Sequence, residues 1–134
     1  MSMASVIAFE ALEGRDLDEL LEKQKAREGS GRPIRCAHCG QLVSTANQRI
    51  EQAGAHGHRF ENPAGIVFRI GCFRHAPGCR RAGEATHAWT WFPGHAWSMA
   101  LCIKCGTHLG WSFGPGGTGD AFYGLILDRL AEEM

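Results

Sequence analysis

From Arg32 onward the apolar positions fall in short runs broken by Gly, Pro and Asn, which is the punctuation of a β domain. Ile66 to Phe73 is a mostly apolar strand candidate. His87, Trp89 and Trp91 share one face if the strand carrying them is regular, and Trp97, Met99 and Leu101 share a face in the run from Ala96 to Leu101. Trp111 and Phe113 do the same further on. Phe122 to Leu127 reads as a last, buried strand, with a helix running into Asp128-Arg129-Leu130 as its competitor. Gly114-Pro-Gly-Gly-Thr-Gly119 lacks the Lys-Ser/Thr of a phosphate loop and predicts a hairpin connection. There are no internal repeats.

The first 31 residues follow a different period. Asp16-Leu17-Asp18-Glu19 offers an N-cap residue with an acid three positions later, the capping-box pattern. Leu17, Leu20, Leu21 and Gln24 follow at helical spacing. The acids come early and Lys23, Lys25 and Arg27 come late, which suits the helix dipole, and Gly29-Ser30-Gly31 stops the run. The spacing predicts a short amphipathic helix over 16–28, packed on its own domain or serving as a handle for a partner. The chain thus divides into an N-terminal segment, 1–31, and a β domain, 32–134.

Composition narrows the function. The formal net charge is zero, with 14 basic and 14 acidic residues, so the chain lacks the basic excess on which nucleic-acid and anionic-membrane binding rest. Met1 to Phe9 is apolar but short, has no basic flank and runs into Glu10, unlike a secretory signal or a membrane span. The expected compartment is the reducing cytoplasm. There the six cysteines read as metal ligands or free thiols rather than disulfides.

Four of them fall in one form. Cys36-Ala-His-Cys39-Gly40 and Cys102-Ile-Lys-Cys105-Gly106 each set two thiolates on a tight turn, with a glycine that lets the backbone curl toward sulfur. Together they predict a closed tetrahedral site for one structural Zn2+ with no open position for chemistry. The 62 residues between the knuckles make the metal the clasp of a long loop, so its removal should unfold much of the chain. His38 and His108 lie beside the knuckles and read as packing or supporting residues, because four cysteines already fill the site. Cys72 and Cys79 read as free, partly buried thiols.

All four tryptophans lie between positions 89 and 111. The string Trp91-Phe-Pro-Gly-His-Ala-Trp97, followed by Cys102-x-x-Cys105-x-x-His108-Leu-Gly-Trp111-x-Phe113, closely resembles the CULT domain, the thalidomide-binding domain of cereblon. The resemblance runs from about Ile34 to Leu130. It implies a β-tent, two antiparallel sheets pinned by a four-cysteine zinc site. It implies that Cys36, Cys39, Cys102 and Cys105 hold the zinc, that Trp91, Trp97 and Trp111 form a three-tryptophan cage, and that Phe113 closes its floor. Asn62, Pro63 and Phe68 match entrance and wall positions. The ligands implied are cyclic imides such as glutarimide and succinimide rings, including those at modified protein termini, bound without catalysis.

The residues suit that ligand. Three indoles can enclose the apolar edge of an imide ring, and backbone near Trp89 and Trp91 can meet its O=C–N–H–C=O edge. Trp89 departs from cereblon, which carries histidine there. Neither a Lon-like domain nor the helices that dock a ubiquitin-ligase adaptor are expected in this chain. Two other readings compete. Methionine sulfoxide reductases of the B type share the β-tent and zinc site, but need a nucleophilic cysteine on a late strand, and none follows Cys105. Alternatively, the cage holds a methylated ammonium group, with Glu61 and Glu84 flanking the region.

Overall fold

A computed structural model describes residues 31–117 and 119–133; the helix expected over 16–28 lies outside them. The described residues form nine strands: β1 Pro33–Cys36, β2 Leu42–Thr45, β3 Gly57–Glu61, β4 Val67–Phe73, β5 Cys79–Thr86, β6 Trp97–Cys102, β7 His108–Phe113, β8 Phe122–Ile126 and β9 Leu130–Glu132. Every pairing is antiparallel. One sheet has the order β9-β1-β2, and the other β3-β4-β8-β7-β6-β5. The domain is therefore mostly β and built of two antiparallel sheets. No helix among the described residues is long and apolar enough to cross a membrane.

The strands follow the apolar pattern. β6 alternates, burying Ser98, Ala100 and Cys102 and turning Trp97, Met99 and Leu101 to the other face. On that face Trp97 stands opposite Phe113 and Met99 opposite Trp111 in the β6–β7 register. β7 and β8 approach closely at two glycines: a Cβ on Gly110 would lie 2.1 Å from the Gly124 carbonyl oxygen. The run 114–119 joins β7 to β8, as a hairpin connection should. β8 stops at Ile126, a single 3-10 turn spans Leu127–Arg129, and β9 begins at Leu130. The helical alternative for that stretch is reduced to this one turn.

One expectation fails outright. Residues 87–91 are not a strand, because β5 ends at Thr86. The Thr90 N–H donates to the His87 carbonyl at 3.2 Å and Trp89 has φ 61°. A bond across four residues with positive φ only at the third is the type II turn pattern. That third position ordinarily takes glycine, so nothing in the residue types announces the turn.

Two buried clusters make the core. Near the cysteine knuckles the residues are aliphatic or small, among them Ile34, Val43, Ala76, Ala100, Leu109 and Leu125, with Phe73 the one phenylalanine. Behind the tryptophans Phe92, Phe113 and Phe122 pack with Ile70, Cys72 and Ile126. Phe92 is the hub of the second cluster, edge-on to both Phe113 and Phe122 at 5.0 Å.

Candidate functional site

The two knuckles are built alike. In the first, the Gly40 N–H returns to the Cys36 carbonyl at 2.8 Å and φ of Gly40 is 81°. In the second, the Gly106 N–H returns to the Cys102 carbonyl at 2.9 Å and φ of Gly106 is 79°. Glycine holds that left-handed conformation without a steric penalty, so each turn can bring its two sulfurs together. The four Sγ atoms all lie within 4.8 Å of one another and could hold a metal ion. Sulfur from one knuckle meets sulfur from the other at 3.8 Å for Cys36–Cys105 and 3.6 Å for Cys39–Cys102.

Their surroundings divide the four thiols. The Gln41 amide lowers the Cys39 thiol, but desolvation and the three neighbouring sulfurs outweigh it and hold the group up at about 11. The Thr107 hydroxyl, with the Thr107 amide, brings the exposed Cys105 down to about 6. Hydrogen bonds onto sulfur favour the thiolate, which is the form a metal needs. His38 is exposed and Cys72 and Cys79 are buried rather than partly so. Burial pushes both of those thiols up to about 12, as expected of inert core cysteines.

The eight aromatic and loop residues singled out in the sequence come together around one cavity of about 420 Å³. Trp91 and Trp111 meet edge to face with centroids 4.7 Å apart. Phe68 closes on Trp111 at 5.2 Å and on Trp91 at 6.2 Å. The Trp97 indole N–H donates to the Ala88 carbonyl at 2.8 Å, which turns its ring and ties β6 to the turn at 87–90. Phe113 lines the cavity and is fully buried. Asn62 and Pro63 sit on the β3–β4 hairpin, where the Asn62 Oδ1 accepts the amides of Ala64 and Ile66 at 3.0 and 2.9 Å. That Asx turn fixes the loop at the cavity edge. Trp89 lies on the edge as well, 74% exposed.

Four participants escaped the sequence reading. Met99 and His108 also line the cavity. The alternation that places Trp97 and Leu101 on one face already included Met99, and the β6–β7 register sets it opposite Trp111. Phe60 stacks on the back of Trp91, with centroids 4.9 Å apart and rings 13° from parallel. Phe92 supports the group from below. Phe60 lies in no motif and Phe92 lies within the tryptophan string, but only the fold shows what each one touches.

Knuckles and cavity share contacts. The Ala37 N–H, inside the first knuckle, donates to the Arg129 carbonyl at 3.0 Å. The Arg129 guanidinium donates to the His108 carbonyl at 2.7 Å and lies over the Phe68 ring, 5.9 Å from its centroid. The His108 Nε2–H donates to the Gly110 carbonyl at 2.8 Å, and the imidazole stands edge-on to Trp111 at 4.9 Å.

Two antiparallel sheets, a four-cysteine cluster and an aromatic cavity define a small β domain with a candidate metal site. Comparison with known proteins points the same way. The chain is similar to cereblon of Drosophila erecta, 30% identical over 92 residues that make up 66% of this chain and 15% of that protein. It is 30% identical over 80 residues to cereblon of Danio rerio and 32% identical over 80 residues to that of Xenopus tropicalis, 58% of this chain in both cases. The chain carries a cereblon-like domain. The match covers 15% to 19% of the length of these relatives. No protein-family model matches the chain.

Proposed function

We propose that residues 32–134 form a non-catalytic binding module whose tryptophan cage takes a cyclic imide ring, and whose four cysteines hold one structural Zn2+. The observation that carries this reading is a cavity with indoles on several sides beside a loop with unused backbone groups. Trp91, Trp97 and Trp111 are half-buried around it. No hydrogen bond among the described residues uses the Trp89 carbonyl or the Trp91 amide. These groups come from a turn rather than a strand edge. An acceptor and a donor two residues apart suit the N–H and C=O of an imide, while the indoles take the saturated carbons.

For zinc the geometry fits. A Zn–S distance of about 2.3 Å in a tetrahedron sets neighbouring sulfurs about 3.8 Å apart. Two cross-knuckle pairs, at 3.6 and 3.8 Å, match that edge. Four thiolates with no further donor favour a closed structural site. When bound, zinc would supply folding energy and no chemistry.

The chemistry of the cavity weighs against the other two readings. Cys72 and Cys79 are core residues outside the cavity, with thiols pushed up to about 12, which removes the candidate nucleophiles of a sulfoxide reductase. No carboxylate lines the cavity to balance a methylated ammonium ion, and Glu61 and Glu84 lie exposed outside it. A bare imide ring of roughly eight heavy atoms at about 1 kcal/mol each reaches micromolar affinity. Titration with glutarimide while following tryptophan fluorescence tests the proposal, with Trp91→Ala as control. A folded, zinc-loaded protein that gives no response up to millimolar glutarimide would refute it.

A further inference from the structure

Trp89 is the one tryptophan that the cage does not need. Its three counterparts are half-buried, and each is oriented by ring contacts or, for Trp97, by an indole hydrogen bond. Trp89 is 74% exposed, and among the described residues its ring makes neither an aromatic contact nor a hydrogen bond. It also occupies the third position of the turn at 87–90 with φ 61°, where a bulky residue is a steric outlier and glycine would be at ease. A large apolar ring held in a costly conformation, in water, gains nothing for the fold. Strain of this kind persists where the group has another task.

Its position suggests which task. Trp89 lines the same cavity as the cage, and so does Pro63, another exposed residue on the lip. The cavity, about 420 Å³, falls within the size range that takes drug-sized molecules, well beyond the needs of one six-membered ring. An imide ring in the cage therefore leaves room for whatever the ring carries. We infer, building on the imide reading above, that Trp89 is a specificity residue: its indole stacks on a flat aromatic group attached to the caged ring. The preference is for aromatic substituents because an indole face gains most from an offset or edge contact with another π system. The turn fixes the backbone beneath it, so little freedom is lost on stacking.

The test compares two probes, glutarimide and its 3-phthalimido derivative, on the zinc-loaded chain by calorimetric titration. The wild type should bind the phthalimido probe about three- to tenfold more tightly than the bare ring, the range of one good aromatic contact. Trp89→Ala keeps the backbone carbonyl and removes only the indole, so the ratio of the two affinities should fall from that range to about one. Trp89→Gly should lose the extra affinity too while melting no lower than wild type, because glycine relieves the turn. A gain that persists in Trp89→Ala, or two affinities that fall together, overturns the inference while leaving the cage intact. If neither probe binds the folded wild type, the imide reading itself fails and takes this one with it.

Discussion

The knuckle end and the cage end of this domain are held by different means. Around the cysteines the core is made mostly of small and aliphatic side chains, and two of the four knuckle cysteines, Cys36 and Cys102, are themselves part of it. The cage end is packed with rings: Phe92 touches Phe113, Phe122, His58 and Phe60 at 5.0 to 5.4 Å, and Phe60 stacks on Trp91. One end has few large side chains to bury, and in the proposed reading a metal clasp holds it. The other buries many rings, yet Trp97 and Trp111 ride on β6 and β7, the strands that flank the second knuckle. In the proposed reading the cage is held rigid by rings at the point of contact, while two of its strands run to the metal clasp at their ends.

That contrast can be broken from either side. The largest effect should follow metal removal. Chelation, or Cys102→Ser, should abolish cooperative thermal unfolding and imide binding together, since structural zinc contributes on the order of 10 kcal/mol in small domains. Circular dichroism and the fluorescence titration read both. Imide binding by the metal-free chain would show that the cage end stands alone. Next comes Phe92→Ala, which removes the hub of the aromatic cluster and should cost about 3–5 kcal/mol by denaturant titration with the metal retained. Trp111→Ala should be gentler on the fold, about 1–2 kcal/mol because the ring is half-exposed. It should still weaken imide binding by about 30-fold or more, as expected of a hot-spot indole. Equal losses of stability and affinity would mean that Trp111 is ordinary core.

The smallest effect is a pH dependence. Burial holds the His108 imidazole below its ordinary 6.5, the Gly110 carbonyl pulls the other way, and Arg129 adds to the lowering. As the pH drops through about 6.5 the unfolded chain therefore takes up this proton before the folded one does. Stability contributed above that pH is lost as the pH falls toward the folded-state value, and levels off below it. His108→Gln should flatten this part of a melting-temperature profile measured between pH 7.5 and 5. A profile unchanged by the substitution would assign the slope to the thiolates instead.

Much of this was legible in the residues. The knuckles repeat a spacing and a glycine, and the strands from Val67, Trp97, His108 and Phe122 follow apolar patterning because each buries a face. The resemblance of the tryptophan string to a known domain pointed at Asn62, Pro63 and Phe68, which no local pattern would have linked to tryptophans more than twenty positions away. What stayed hidden has physical reasons. The turn at 87–90 has tryptophan in glycine's place, so alternation there imitates a strand. Phe60 and Phe92 act through what they touch, which pairing decides and spacing does not. β9 is three residues long, and its partner lies at the opposite end of the domain.

That last pairing governs how the protein comes into being. Leu130, Ala131 and Glu132 stand opposite Cys36, Arg35 and Ile34. The smaller sheet therefore joins segments nearly a hundred residues apart, and the loop between them must close before the pairing repays its entropy. β1 can pair locally with β2, but its other edge is completed only by β9, the last strand of the domain to be made. The smaller sheet thus depends on long-range closure, which high contact order makes slow.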